Sequence, residues 1–386
     1  MKIKLLIIEF DYHSEVLRDL CLLCAESEFV LTIFTSEKTW NSVGLSEDIP
    51  HLEVFIKKKG LSLKDFFKQY QTVTDSNDIV LFNTCASNFK FFSRYRFNIP
   101  CVLRIHNYNS YFERTENLQF DLNSWQYDLE HLFYRSLWRR DWYYRRKFLK
   151  CINYFMFPNE VITEYARNRG RIEHKKILKS LPYTFSRSFH EIKNTEIIIT
   201  VVGTVEKKRR NYDELIDALA LASPSFNQPV KLVLLGKLKG NYGQKIKLKL
   251  ATLSNPKLQV VTYEQFVPQA TYDDIMTRSS FQIVPINLET RYQICSEKYG
   301  LTKISGAESE MIKYQLQSVF PNGYLVPEEL VQLTTNYSST ADLAERIIEL
   351  VNQKKSQSKN LTVFRKEIIQ KQLLNICNNI LKENRV

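Results

Sequence analysis

Glu196-Ile197-Ile198-Ile199-Thr200-Val201-Val202-Gly203-Thr204-Val205-Glu206-Lys207-Lys208-Arg209-Arg210-Asn211-Tyr212 is the stretch on which the reading of this chain turns. Its first seven residues form a β-branched run with no polar face, which predicts a strand buried on both sides and ending at Gly203. Tyr212–Leu221 follows in a helical pattern. A glycine at a strand tip lets other groups approach the backbone closely. Lys207, Lys208, Arg209 and Arg210 beside a helix start suit a diphosphate, and they suit a solvated basic loop equally well.

The same rhythm extends in both directions. Downstream, Val230–Leu235 predicts a strand ending at Gly236, with Gln244–Leu253 as its helix; Leu258–Val261, Phe281–Pro285 and Ser318–Phe320 continue the sheet. Helical patterns over Thr340–Gln353 and Leu361–Leu381 close the chain. Upstream, Ile3–Glu9, Phe29–Thr35, Leu52–Ile56, Ile79–Phe82, Cys101–Ile105 and Ile152–Phe157 are strand runs separated by helical stretches such as His13–Cys24 and Val161–Arg167. Strands alternating with helices imply a parallel sheet with helices on both faces. The expected fold class is therefore α/β: a first domain over 1–182, a polar linker over 183–195 and a second domain over 196–360, with a cleft between the two.

Composition narrows the classes. At 386 residues and 44% hydrophobic, the chain has material for two cores, and its 25% charged residues exclude neither half from folding. Lys plus Arg is 54 against 42 for Asp plus Glu, a net charge of +12 that favours anionic partners. Seven cysteines at irregular spacing read as reduced thiols of an intracellular protein. Cys21 and Cys24 fall in the apolar stripe Val16-Leu17-Leu20-Cys21-Cys24, where core packing explains them without a metal. The apolar run before Glu9 is too short for a secretory signal, and no stretch of about 18 apolar residues spans a membrane. A cytoplasmic protein, free or peripheral at the inner face of a membrane, is expected.

A second cluster, Ser296-Glu297-Lys298-Tyr299-Gly300-Leu301-Thr302-Lys303-Ile304-Ser305-Gly306, gathers backbone amides, a hydroxyl and a cation before a helix. The spacing of a Walker loop is absent, and no G-x-G-x-x-G points to a dinucleotide oxidoreductase. There is no D-x-D and no His/Asp cluster, so neither a metal nor another cofactor is expected.

These segments resemble the nucleotide-binding half of GT-B glycosyltransferases, particularly the large retaining family 4. In that family a strand, Gly-Arg and a downstream Lys hold the donor diphosphate; Val201-Val202-Gly203-Thr204 through Arg210 looks like that element, with Thr204 in the place of the Arg. Glu297-Lys298-Tyr299-Gly300-Leu301-Thr302 matches the order of the family's Glu–glycine-loop signature, with Ser305 where its second Glu belongs. The resemblance implies two Rossmann-like domains, a final helix (361–386) returning to the first domain, and transfer of a sugar from a nucleotide-diphosphate sugar with retained configuration. It implies diphosphate contact by Gly203, Thr204, Lys208, Arg209, Arg210, Gly300, Leu301, Thr302 and Lys303. Phe266, Val267 and Ser305 would meet the nucleoside, and Glu297 the donor sugar. No bound metal is implied.

His106, at the tip of Val102-Leu103-Arg104-Ile105, is a candidate for substrate contact or for a structural hydrogen bond. Asp11, His13 and Asn107 follow strand ends where an acceptor would bind, and Asp11 or Ser14 also suits helix capping. From Arg135 to Lys150 there are seven cations, one acid and the aromatics Trp138, Trp142, Tyr143 and Tyr144. Such a stretch fits an anionic lipid surface, single-stranded nucleic acid, or a helix packed on its own domain. Without a recognised nucleic-acid motif, no nucleic-acid partner is expected. The overall reading is a glycosyltransferase acting on a glycan or lipid-linked acceptor in bacterial surface polysaccharide or glycolipid assembly. The alternative, motivated by Ser305, is a catalytically impaired relative that scaffolds a glycosyltransferase partner.

Overall fold

Strand runs without a polar face need cover on both sides, and each half of the chain meets that need with its own six-stranded parallel sheet. The computed structural model describes residues 2–45, 49–121, 125–187, 196–253, 255–353 and 361–384. Part of the expected linker (188–195, with His190) and the polar stretch 354–360 lie outside the described residues. The chain divides into two compact units. The first is Met1–Phe185 with Arg291–Glu297 and Phe364–Val386; the second is Ser186–Thr290 with Lys298–Val363.

In the first unit the chain runs β1 (Ile3–Glu9), α1 (Ser14–Cys24), β2 (Phe29–Ser36), α2 (Glu37–Val43), β3 (Leu52–Lys57), α3 (Leu63–Gln69), α4 (Gln71–Asp75) and β4 (Ile79–Phe82). It continues through α5 (Phe89–Phe92), β5 (Cys101–Arg104), α6 (Tyr108–Phe112), α7 (Trp125–Glu130), α8 (Asp141–Cys151), β6 (Tyr154–Met156) and α9 (Glu160–Arg169). The strand order is β3-β2-β1-β4-β5-β6, and the pairing is parallel throughout, with Ile7 opposite Ile33 on one side and Leu81 on the other. Cys21 and Cys24 lie on the buried face of α1, and burial pushes the Cys21 thiol up to about 12.

The second unit contains β7 (Ile197–Val202), α10 (Tyr212–Ala222), β8 (Val230–Lys237), α11 (Gly240–Ala251), β9 (Leu258–Tyr263), α12 (Gln269–Arg278) and β10 (Phe281–Ile283). After the hairpin strands β11 (Glu289–Tyr292) and β12 (Cys295–Lys298) come α13 (Gly306–Tyr314), β13 (Ser318–Pro321), β14 (Thr334–Tyr337) and α14 (Thr340–Asn352). Its parallel sheet has the order β14-β13-β10-β7-β8-β9. The core between sheet and helices joins Ile199 and Val201 of β7, Leu215 and Leu219 of α10, and Leu343 and Ile347 of α14, all essentially water-free.

Two features depart from the sequence pattern. β11 and β12 stand where a loop is expected, and Arg291–Glu297 belongs to the first unit. The reason is backbone pairing: Gln119 N donates to Ile294 O (3.0 Å) and Ser296 N to Asn117 O (2.8 Å). The final helix, α15 (Lys366–Glu383), is amphipathic and belongs to the first unit. There it buries Leu373 and Ile380, and Gln370 Nε2 donates to Leu23 O at the end of α1 (2.8 Å).

β1 ends in a carboxylate with no exposure at all, Glu9. Its Oε1 accepts from Asp11 N (2.9 Å) and Tyr12 N (3.1 Å), and its Oε2 from Asn83 Nδ2 (2.7 Å). Burial outweighs these bonds and pushes the carboxyl up from 4.5 to about 8. A folded pKa above the unfolded one means the folded chain holds the proton that the unfolded chain has lost. The stabilisation is therefore full below 4.5 and disappears as pH rises toward 8. The slope is at most about 1.4 kcal/mol per pH unit. Glu9→Gln, which copies the protonated acid, should unfold in urea with a stability that does not share this decline. A wild-type-minus-variant difference that stays constant across that range would mean Glu9 is ionised in the fold.

Candidate functional site

Ligands of open parallel sheets bind beyond the carboxyl ends of the strands, where the strand order reverses. In the second unit that point lies between β7 and β10. Gly203 follows β7 at φ 91°, a left-handed conformation that a side chain rarely adopts. A Cβ there would lie 2.5 Å from Arg210 Nη2, and one on Gly236 at the end of β8 would collide with the Gly203 carbonyl. Gly236 is thus required by close backbone approach, and Gly203 by its left-handed conformation. Arg210 rests on this bare backbone and donates from Nη1 to Thr204 O (3.1 Å). Its neighbours are tied to the end of β10, with Asn211 N on Pro285 O (2.7 Å) and Asn287 N on Arg209 O (3.0 Å). The guanidinium is thereby held at the reversal point.

The other cations of this loop differ in their freedom. Lys207 and Lys208 are exposed. Arg209 pairs with Glu206 (3.3 Å), which Lys239 also approaches (2.7 Å). The start of α10 is closed by its own residues. Asn211 Oδ1 accepts from Glu214 N (3.2 Å), and Asp213 and Glu214 place negative charge in the first turn. At the same edge, Phe266 is 79% exposed with Lys237 Nζ 5.6 Å from its ring, and Val267 is half-buried.

The Gly300 loop is a closed turn. Gly300 sits at φ 78° and donates to Lys303 O (2.8 Å), while Leu301 N (3.2 Å) and Thr302 N (2.9 Å) both donate to Lys298 O. These three amides, expected to face a diphosphate, are engaged within the turn. Lys303 Nζ stands 5.5 Å from the Tyr299 ring. Ser305 caps α13, its hydroxyl accepting from Ala307 N (3.3 Å), and its own amide donates to Tyr324 Oη (3.0 Å). Tyr324 in turn donates to the buried Glu308 (2.6 Å). Asp273 accepts from Tyr314 Oη and from Arg187 Nη1 (3.3 Å).

In the first unit the strand order reverses between β1 and β4. Asp11 follows β1, and its carboxylate accepts from Ala86 N (2.8 Å), Ser87 N (3.2 Å) and the Ser87 hydroxyl, which fixes the loop after β4. His13 occupies the cap position of α1 at φ 53° without a side-chain cap, and its ring stacks on His106 at 3.9 Å between centroids and 6° between planes. His106 Nε2 donates to Asn83 O (2.9 Å), and its ring also meets Tyr183 at 4.8 Å. Asn107 is buried beside it, with Oδ1 lacking a partner. The structure thus brings His13, His106 and Asn107 to one place and gives Asp11 a loop-fixing position.

Glu297 belongs to this unit too, fully buried. Its carboxylate accepts from Asn109 N (3.3 Å), Ser110 N (2.8 Å) and Ser110 Oγ (2.6 Å), all in α6. A helix start leaves four backbone amides without an intrahelical partner, and Glu297 takes two of them in α6.

Sequence reasoning missed the charged residues beneath this pocket. Arg104, in the last position of an otherwise apolar strand, is 1% exposed and donates to Asn83 Oδ1 (3.0 Å), with its guanidinium 4.2 Å from the Tyr183 ring centre. A lone cation in an apolar run was the available signal. Arg145 was counted among surface cations, but Asp141, Arg145 and Phe148 recur at i, i+4 and i+7 and face inward from α8. Among the described residues, no three His, Cys, Asp or Glu side chains gather as a metal site.

No family model matches the chain, and no curated protein matches it. Solved structures do. HepE (Alr3699) of Anabaena, in complex with UDP and glucose, is 13% identical with a TM-score of 0.60 over 98% of this chain and 100% of its own. In complex with UDP-glucose, the same protein gives 0.56 at 13% identity, with 99% of each chain covered. The N-terminal domain of Candida albicans trehalose-6-phosphate phosphatase matches at 8% identity and 0.52, over 99% of this chain and 96% of its own. Identities this low establish likeness of fold. The chain has two Rossmann-like parallel-sheet domains of the GT-B kind.

Proposed function

We propose that the protein is a glycosyltransferase that moves a sugar from a nucleotide-diphosphate sugar to a glycan or lipid-linked acceptor. The observation that carries this reading is the Gly203–Gly236 close approach at the β7/β10 reversal, with Arg210 fixed on it. The solved likeness of the fold to a protein that binds UDP and UDP-glucose supports it. Breaking the bond to a nucleoside diphosphate leaves charge on the phosphates, and fixed cations there stabilise the transition state. Arg210 and Lys303 take that role here, with Lys208 and Arg209 as exposed neighbours, and the exposed Phe266 offers a ring for the base. Gly203 and Thr204 give the phosphates room to approach. The reaction runs without a metal and retains configuration. His106 contacts substrate, and Glu297 acts as a positioning residue that holds α6 beneath it.

We further place the protein at the inner face of a membrane, working in surface polysaccharide or glycolipid assembly. Among the described residues no helix is long and apolar enough to cross a bilayer. The outward face of α8 pairs cations with rings: Arg146 over Trp142 (5.7 Å), Lys147 over Tyr143 (4.7 Å) and Arg94 over Tyr144 (5.3 Å). Trp138 is 82% exposed beside Arg139, Arg140, Lys64 and Lys90, and these line one groove. Cations around exposed aromatics complement an anionic lipid surface, the rings entering the headgroup boundary.

Two predictions test these readings. A panel of nucleoside diphosphates should raise the melting temperature with one base preferred, and Arg210→Ala and Lys303→Ala should each lower kcat/KM about 10²–10³-fold; turnover at the wild-type rate in both would displace the donor site. Binding to vesicles containing anionic phospholipid should weaken with salt yet persist, because ring insertion is not screened. Replacing Arg139, Arg140 and Arg146 with Gln should remove most of it, and Trp142→Ala should weaken it further, both without change in nucleotide affinity. Wild-type protein that ignores such vesicles at low salt would withdraw the peripheral placement.

A further inference from the structure

The pocket above β4 and β5 in the first unit is lined by His13, His106, Asn107, Arg114, Arg145 and Tyr292 among others, and no carboxylate is among its lining residues. Arg114 and Arg145 are 9% and 7% exposed. Their hydrogen-bond partners carry no charge. Arg114 donates to Gln293 Oε1 (3.1 Å) and His131 Nδ1 (3.2 Å), and Arg145 donates to the Ser110 carbonyl and lies over the Phe89 ring (5.2 Å). His131 is held neutral, its pKa lowered to about 4 by burial and by Arg114. The acids nearby are committed elsewhere. Asp141 pairs with Arg135 (3.8 Å) and Arg139 (3.7 Å), Asp11 holds the 86–87 loop, and Glu297 holds α6. Among the described residues, neither Arg114 nor Arg145 forms an ion pair.

Two buried guanidinium groups that repel each other and have no ion pair, with only the charge of Asp141 acting on Arg145 from beyond ion-pair distance, are costly to keep. Neutral residues of similar shape would pack there at less cost, so the arrangement is suited to an anion that arrives from outside. Charge-assisted bonds from arginine match the planar or tetrahedral oxygens of a carboxylate or phosphate. The same pocket holds the unpartnered Oδ1 of Asn107, which can accept from a hydroxyl. An anionic group next to hydroxyls is the chemistry of an acidic sugar. We infer that this pocket binds the charged group of an acidic sugar, a uronate carboxylate or a sugar phosphate, between Arg114 and Arg145. The inference deepens the glycosyltransferase reading and rests on it for the assignment of that sugar to the acceptor.

The test is the melting temperature of the full chain at matched ionic strength, with glucuronate, glucose 6-phosphate, inorganic phosphate or glucose added, and separately with UDP. Either acidic sugar should raise it while glucose does not. A larger shift with glucuronate identifies a carboxylate site, and one with glucose 6-phosphate a phosphate site; a response to inorganic phosphate alone would overturn the sugar assignment. Arg114→Met and Arg145→Met should lose about tenfold or more in affinity for the acidic sugar, melt no lower than wild type, and keep the UDP response. No shift with any anion while UDP stabilises the protein would sink the pocket and leave the glycosyltransferase reading standing. A response to acidic sugars with none to any nucleotide would support the pocket and remove its link to glycosyl transfer. Methionine variants that melt far below wild type or fail to fold would show the arginines to be structural and overturn the inference.

Discussion

Arg104 carries its charge into the centre of the first unit, and the carboxyl edge of that sheet is organised by the need to satisfy it. Asn83 accepts from the guanidinium with its oxygen and donates with its nitrogen to Glu9, which takes the two amides that turn the chain out of β1. Tyr183 covers the guanidinium face while its hydroxyl bonds to the ends of β5 and β6, through Ile105 O and Met156 O (both 3.1 Å). One residue later, Thr184 donates to Asp19 of α1 (2.7 Å). A buried charge left unpaired costs several kcal/mol, so these partners are mutually dependent. His106 is fixed by two of them, Asn83 and Tyr183, and His13 is fixed in turn by His106.

The second unit reaches an equivalent position by the opposite means. Where the first sheet fills its reversal point with charged and polar side chains, the second removes side chains altogether, at Gly203 and Gly236. Backbone then approaches backbone, and a single guanidinium occupies the space that a Cβ would take. The contrast follows from local sequence: β1 and β5 end in Glu and Arg, whereas β7 runs apolar to its glycine. A small number of glycines in the whole chain makes their placement here informative, since Gly236 is demanded by a backbone collision and Gly203 by its left-handed φ.

Elements whose pattern is dictated by burial on both faces were legible in the sequence. Ile3–Glu9 and Tyr212 onward are found where the runs place them, because an all-apolar strand and a 3.6-residue stripe admit few alternatives. What escaped was set by partners distant in sequence. The β11–β12 hairpin carries Tyr292, Gln293 and Glu297 to groups some 180 residues earlier, as with Ser110 and Glu297 at a separation of 187, and no local pattern announces such a pairing. The residues 131–138 form a π-helix, a geometry that shifts the inward face and that a 3.6-residue reading does not register. The close packing of Gly203, Gly236 and Arg210 follows a local pattern, since glycine at a strand end admits close approach. The closed turn at Gly300, Leu301 and Thr302 carries no such pattern, since a glycine-containing turn satisfies its own amides as readily as it offers them to a ligand.

The net charge of +12 is thereby resolved into two kinds of cation with different physical consequences. Lys207, Lys208, Arg140 and Arg146 are exposed, where water screens them and where each adds little to stability. Arg104, Arg114 and Arg145 are buried, and burial lowers the pKa of each. Arg104 is linked to the Glu9 carboxyl through Asn83, and Arg145 feels the charge of Asp141 without an ion pair; Glu9 is itself pushed toward its neutral form. The pocket that holds Arg114 and Arg145 is lined by no carboxylate, although buried acids such as Asp128 and Glu297 stand elsewhere in the first unit. A fold selected for stability alone would replace such groups with apolar ones of the same volume. Their retention in a pocket with an unpartnered amide oxygen points to a requirement met only when a ligand is present, and it locates that requirement in the first unit rather than in the loops from which the charge is most easily read.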